Sequence, residues 1–345
     1  MPKARKPSSS AYARSGVDIS LGNRVKSGLG PIVKSTHRPE VLSAIGGFGG
    51  LFDARFPGYK HPILVTSIDG VGTKLKVAAM ANEHSGIGQD LVNHCVNDIA
   101  VVGAEPLFFL DYIGTSHLEA SRFKEIVKGL AKACKAAGCT LIGGETAQMP
   151  GLYHGDDYDL VGTIIGVVDQ SKMIDGKSIQ PGDLIVGFPS SGLHTNGYSL
   201  ARDVLFRRLR MKLSDAVPGS RKCLAELLLA PHVNYEPLLK KLSTKIRFKG
   251  LAHITGGGFV DNIPRVLPSG TAATIHTRTW KRPPLFELLD ARGNIDARER
   301  FQVFNMGIGM TAIVSAKDAP RLLDQTRAWI IGEITKGNRK VKLEF

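Results

Sequence analysis

Several stretches of this chain set carboxylates, hydroxyls and an ammonium beside glycines, a grouping suited to a phosphorylated ligand. The first is Asp69-Gly70-Val71-Gly72-Thr73-Lys74. It follows an apolar, β-branched run at 63–68 that reads as a buried strand. It precedes an alanine-rich segment that reads as a helix over 74–82. A carboxylate at a strand end can hold Mg²⁺, turn N–H groups can face phosphate oxygens, and Lys74 adds positive charge. The same residues also fit an ordinary Asp-Gly turn with an N-cap. The G-x-x-x-x-G-K-[ST] spacing of a Walker A loop is absent.

Further candidates lie downstream. Asp98 falls on the apolar stripe of a helix expected over 87–102, among Leu91, Cys95 and Val102. A carboxylate there is costly unless paired, so a buried salt bridge and a metal contact are both open. Asp111 ends the run 106–112, which reads as a second strand. Gly143-Gly144-Glu145-Thr146 follows a short strand at 139–142 and reads as another glycine–acid turn. Ser191, His194 and Asn196 precede a helix starting near Tyr198. They fit either helix caps or an anion pocket. His253 lies on a strand over 251–255 that enters Gly256-Gly257-Gly258, a glycine nest before a helix over 259–266. Its imidazole titrates near neutrality, but a structural role also fits it.

The scaffold around these residues is legible in outline. Phe123, Ile126, Val127, Leu130, Ala131 and Cys134 make one helical stripe behind a capping box at 116–119. An apolar strand is expected over 160–168. A boundary near 170–176 divides the chain into a basic arm (1–15) and two domains, 16–170 and 171–345. The glycine-rich residues from Gly16 to Pro31 read as an irregular flap. The 345 residues are 43% hydrophobic and 22% charged, as in a soluble globular protein. No apolar run approaches the ~20 residues of a membrane span, and the N-terminus lacks a secretory h-region. The four cysteines form no C-x-x-C pair, which points to reduced thiols in the cytoplasm rather than structural zinc. The net charge of +14 is spread along the chain without aromatic interleaving. It favours anionic metabolites over nucleic acid as partners.

In order along the chain, the residues Ser15-Gly-Val-Asp18, Asp69 to Lys74, Val96-Asn97-Asp98, Gly103 to Tyr112, Gly143 to Ala147 with Met149-Pro-Gly151, Ser190 to Ser199, and His253 with Thr255 to Gly258 resemble the AIR synthetase family, the phosphoribosylformylglycinamidine cyclo-ligases of purine biosynthesis. The resemblance implies an α+β fold of two α/β domains, the N-terminal one pairing strands across a homodimer. It implies that ATP activates the formyl oxygen of formylglycinamidine ribonucleotide and that a substrate nitrogen then closes the imidazole ring. Asp69 and Asp98 would hold Mg²⁺–ATP, with Asn97 and Asp111 nearby. Gly70, Gly72, Thr73 and Lys74 would contact the phosphates, and Gly143 to Thr146 would line the nucleotide site. Ser191, His194, Asn196 and Thr255 to Gly258 would take the substrate. Asp98, Lys74 and His253 would be catalytic, His253 in proton transfer. Many relatives carry a basic residue near Gly30-Pro31, where this chain has only Lys26 and Lys34 as flanks. Selenophosphate synthetases need a cysteine near the N-terminus, and this chain has none before Cys95.

Overall fold

The computed structural model describes residues 19–43, 47 and 49–345. The arm over 1–15, the 15–18 stretch and most of the glycine cluster at 46–48 lie outside the described residues. Two sheets organise the rest. The first contains β1 (Pro62–Gly70), β2 (Glu105–Thr115), β3 (Thr140–Gln148) and β4 (Tyr158–Asp169), in the order β1-β4-β2-β3. Only β2 and β3 run parallel. The second contains β5 (Leu184–Pro189), β6 (Gly250–His253), β7 (Thr271–His276), β8 (Ile308–Val314), β9 (Trp329–Lys336) and β10 (Val341–Glu344), in the order β10-β7-β9-β5-β8-β6. This is the α+β architecture of two α/β units that the resemblance implies.

The first sheet is covered on one face. Leu91, Cys95 and Ile99 of the Ile87–Ala100 helix and Ile126 and Leu130 of the Ala120–Ala136 helix pack against Phe109, Leu160 and Ile164. Period-two alternation turns the intervening residues to the other face. There Leu64 and Ile68 are 61% and 67% exposed. The second sheet is covered on both faces, and every residue of β8 is buried, as a doubly covered strand requires.

Several sequence expectations are corrected. The expected flap contains two helices, Ile19–Ser27 and Gly30–Lys34. Leu21, Val25, Ile32 and Val33 pack on the first core, and that packing outweighs the local glycine content. The stretch Gly143 to Thr146 is no turn but part of β3, paired in parallel with β2. Its glycine serves close approach: a Cβ on Gly144 would lie 2.4 Å from Oδ1 of Asp111. Asp111 is therefore within a strand, not at its end. The expected capping box is replaced by Glu119, whose carboxylate accepts from the backbone N–H groups of Ser121 and Arg122.

The two units are joined by an extended segment of the second, residues 230–235, laid along the Ile87–Ala100 helix. Nζ of Lys74 donates to the Ala230 carbonyl at 2.8 Å, and the His232 N–H donates to Asp90 Oδ1 at 2.7 Å. Asn93 donates to the His232 carbonyl at 2.7 Å. Asn97 donates to the Val233 carbonyl at 2.7 Å and accepts the Tyr235 N–H at 2.8 Å. Positions 90, 93 and 97 share one helical face, so the polar stripe meets a backbone that needs partners. Lys74 and Asp90 pair at 2.8 Å with both side chains fully buried. Replacing Lys74 with Met leaves that carboxylate unpaired. It is expected to lower unfolding stability by about 3–5 kcal/mol, with partial recovery when Asp90 is also changed to Asn. Urea unfolding checks this, and an unchanged midpoint for Lys74→Met contradicts it.

Candidate functional site

Asp69, at the end of β1, and Asp98, in the last turn of the Ile87–Ala100 helix, converge from the first unit. His253, the last residue of β6, meets them from the second. Nδ1 of His253 lies 2.7 Å from Asp98 Oδ1, and Ser67 donates to Asp98 Oδ2 at 3.2 Å. His94, one helical turn before Asp98, reaches Asp69 with Nε2 at 2.8 Å of Oδ2 and Thr195 with Nδ1 at 2.6 Å of Oγ1. Nε2 of His232 lies 2.9 Å from Nε2 of His253. Both carboxylates thus have imidazoles behind them.

The electrostatics follow from this arrangement. Burial raises the Asp69 and Asp98 carboxyls, but the contacts with His94 and His253 outweigh it, and both are held below the usual range. Burial lowers His94, but the Asp69 contact and the charge of Asp98 more than reverse it. For His253 burial wins despite Asp98, and the ring is held neutral. The site therefore sets two ionised carboxylates against His94, whose hold on its proton is strengthened, and against His253, whose ring burial keeps neutral.

Asp69, Asp98 and His253 line a cavity of about 490 Å³ with Asn196, Thr255 and Gly256. Their side chains differ in access. Asp69 and Asp98 are 41% and 27% exposed, His253 only 3%. Both His253 nitrogens face protein partners, so the expectation that it transfers protons directly to substrate is corrected: it holds Asp98 from behind. Ionised carboxylate oxygens open to a cavity suit a hard cation such as Mg²⁺. His194, His232 and His253 also bring ring nitrogens close together, but His194 is stacked on His232 at 3.9 Å. Rings stacked face to face direct their in-plane lone pairs past a shared point, which disfavours that trio.

The remaining expected residues divide. Asp111, Gly143, Gly144, Glu145 and Thr146 line a second cavity of about 620 Å³ on the open face of the first sheet, together with Gly30. Neighbouring residues at the end of β1 line the two cavities, Ile68 this one and Asp69 the first. Gly70, Gly72 and Thr73 form the adjoining turn. Thr73 Oγ1 lies 3.1 Å from Ser199 Oγ, across the junction of the two units.

Other expected contacts are corrected. Lys74 has no exposed surface, so its ammonium cannot reach a phosphate from this position. Asn97 is spent on the 230–235 segment. Ser191 donates to the Pro231 carbonyl, and its N–H donates to Nε2 of buried His194. Both brace the interface rather than line the cavity. Gly257 and Gly258 have φ of +90° and +56° and make the turn beside it. Sequence reasoning missed His94, His232 and Thr195. The Asp90-x₃-His94-x₃-Asp98 spacing, one face of a helix, was the available signal for His94. His232 sits in an irregular segment with no periodicity to mark it.

His94 takes its proton more readily folded than unfolded. Its contribution to stability is complete below about pH 6.5 and is lost as the pH rises through the raised folded value. In metal-free protein its imidazole should titrate above 6.5 by NMR, and Asp69→Asn should lower that value. Titration of His94 below 6.5 in the native protein contradicts the assigned pairing.

Comparison with known proteins places these features. Residues 58–168 match the AIR synthase related protein N-terminal domain, and residues 180–343 match the corresponding C-terminal domain. The chain is 49% identical over 330 residues to a phosphoribosylformylglycinamidine cyclo-ligase of Geotalea uraniireducens, covering 94% of this chain and 95% of the relative. It is 48% identical over 332 residues to that of Geobacillus thermodenitrificans, covering 95% and 96%. Among solved structures, hydrogenase maturation protein HypE in complex with ATP superposes with a TM-score of 0.68 at 19% identity, covering 96% of this chain and 92% of that one. Thiamine-monophosphate kinase from Stenotrophomonas maltophilia gives 0.67 at 17%, covering 95% and 96%. Those two likenesses concern the fold alone.

Proposed function

The chain belongs to the phosphoribosylformylglycinamidine cyclo-ligase family, and on that premise we propose that it closes the imidazole ring of 5-aminoimidazole ribonucleotide from formylglycinamidine ribonucleotide at the expense of ATP. The observation that carries the reading is the pair of ionised carboxylates, Asp69 and Asp98, presented to a cavity that both units build.

In this reading the formyl oxygen takes the γ-phosphoryl group and ADP departs. A substrate nitrogen attacks the activated carbon, the C–O bond breaks, and the oxygen leaves within inorganic phosphate. The attacking nitrogen releases its proton. Asp69 and Asp98 would hold Mg²⁺, which when bound neutralises charge on the transferring phosphoryl group. Gly143 to Thr146 would hold the base side of ATP, and the Gly70–Gly72 turn beside Asp69 would receive its phosphates. Asn196, Thr255 and Gly256 orient the ribonucleotide. His253 is a positioning residue that fixes the Asp98 carboxylate through its 2.7 Å contact.

Leu64 and Ile68 on the open sheet face support pairing of two chains as a homodimer over that face. An apolar face of this kind marks an interaction surface. No described helix is long and apolar enough to cross a membrane. The four cysteines are free thiols, which supports a cytoplasmic setting.

The test is ATP hydrolysis by the purified dimer with and without formylglycinamidine ribonucleotide. ADP release should depend on that substrate and match the aminoimidazole product one to one. Asp98→Asn should reduce turnover at least 1000-fold with a melting temperature within a few degrees of the parent. Substrate-independent ADP release, or an active Asp98→Asn variant, overturns the reading.

A further inference from the structure

A cavity of about 420 Å³ lies where the end of the Ile87–Ala100 helix, the segment after β4 and the Glu236–Ser243 helix come together. That volume is within the range of small-molecule pockets, about 300–1,000 Å³. The cavity of Asp69 and Asp98 shares only Leu251 with it among the lining residues. The proposed reaction makes no use of it. Much of its wall is apolar: Leu239, Ile246, Phe248 and Leu251 are all buried and all line it.

One charged side chain is buried in that wall. Glu236, the first residue of its helix, is 8% exposed and lines the cavity. Its N–H donates to Asn234 Oδ1 at 3.0 Å, but no hydrogen bond or ion pair among the described residues reaches its carboxylate. Lys240, one helical turn on, pairs instead with Glu105 of the first unit at 3.0 Å. Burial raises the Glu236 carboxyl, and the charge of Lys240 offsets that only in part. A buried carboxylate without donors is costly, and a ligand that brings donors removes the cost. Lys172 and Arg247 also line the cavity, both exposed and neither paired with a described carboxylate.

An occupant must match these features together. It needs a flat apolar body for the wall, adjacent N–H donors for Glu236 and an anionic group for Lys172 and Arg247. A guanine base carries its ring N–H and its 2-amino group side by side, and one carboxylate can accept from both. Adenine presents a ring acceptor at that edge, which a carboxylate repels. We propose that this cavity binds a guanine mononucleotide, with its base on Glu236 and its phosphate toward Lys172 and Arg247. The site is separate from that of the proposed reaction and does not rest on it. Its walls come from both units, so a bound nucleotide also stabilises their junction.

Isothermal titration calorimetry of the full chain with GMP, IMP, AMP and guanosine tests this, with ADP saturating so that the ATP site is filled. GMP should bind once per chain. IMP, which lacks the 2-amino group, and guanosine, which lacks the phosphate, should each bind at least tenfold more weakly. AMP should bind at least 30-fold more weakly. Glu236→Gln should weaken GMP binding at least tenfold, and Arg247→Ala at least threefold with guanosine unchanged. Both variants should keep their affinity for ADP within twofold. Glu236→Gln should melt no lower than the parent, because its carboxylate has no partner to lose. Absence of GMP binding, AMP binding as tight as GMP, or GMP binding unmoved by Glu236→Gln overturns the proposal. A Glu236→Gln variant that melts well below the parent would give the carboxylate a structural partner and overturns it too.

Discussion

Lys74 is an ammonium with no exposed surface, and its partner Asp90 is equally buried. Burial pushes the ammonium down and the carboxyl up, so each is kept charged only by the other and by its backbone partner. Those backbone partners, the Ala230 carbonyl and the His232 N–H, belong to the second unit. A buried pair that loses one member costs several kcal/mol. The Lys74–Asp90 pair therefore acts less as an added attraction than as a penalty on separating the two units. Asn93 and Asn97 extend the same constraint along the helix.

The site depends on that constraint because it is assembled from both sides of the junction. Asp69, His94 and Asp98 come from the first unit, and Thr195, His232 and His253 from the second. The contacts between them are 2.6–2.9 Å. A shift of one unit by an ångström would break the Asp98–His253 contact and release the carboxylate toward its higher, buried pKa. The helix that presents Asp98 is the helix that binds the 230–235 segment. Its one polar stripe, Asp90, Asn93, His94, Asn97 and Asp98, serves both tasks.

Much of this was legible in the residues, and the failures share a cause. Asp69 and Asp98 could be found because each breaks a strong apolar pattern, and such a break needs a reason. Strands such as β1 and β4 followed from their apolar, β-branched runs. Lys74 was misassigned because a lysine after a glycine turn looks the same in sequence whether it faces a phosphate or a buried aspartate 16 positions on. The Gly143 to Thr146 stretch was misread because glycine marks both a turn and a strand under a close neighbour, here Asp111. His232 carried no local signal. Its importance comes from segments far apart in sequence that meet at the junction, and no periodicity records that meeting.

The central claim is that this junction activates an amide-type oxygen by phosphorylation. Formylglycinamidine ribonucleotide labelled with ¹⁸O in its formyl group tests it directly. After turnover with unlabelled ATP, the inorganic phosphate should carry one ¹⁸O atom per product ring, and the ADP none. Label released to water, with unlabelled phosphate, would mean that the oxygen never bonded to phosphorus and would contradict the account.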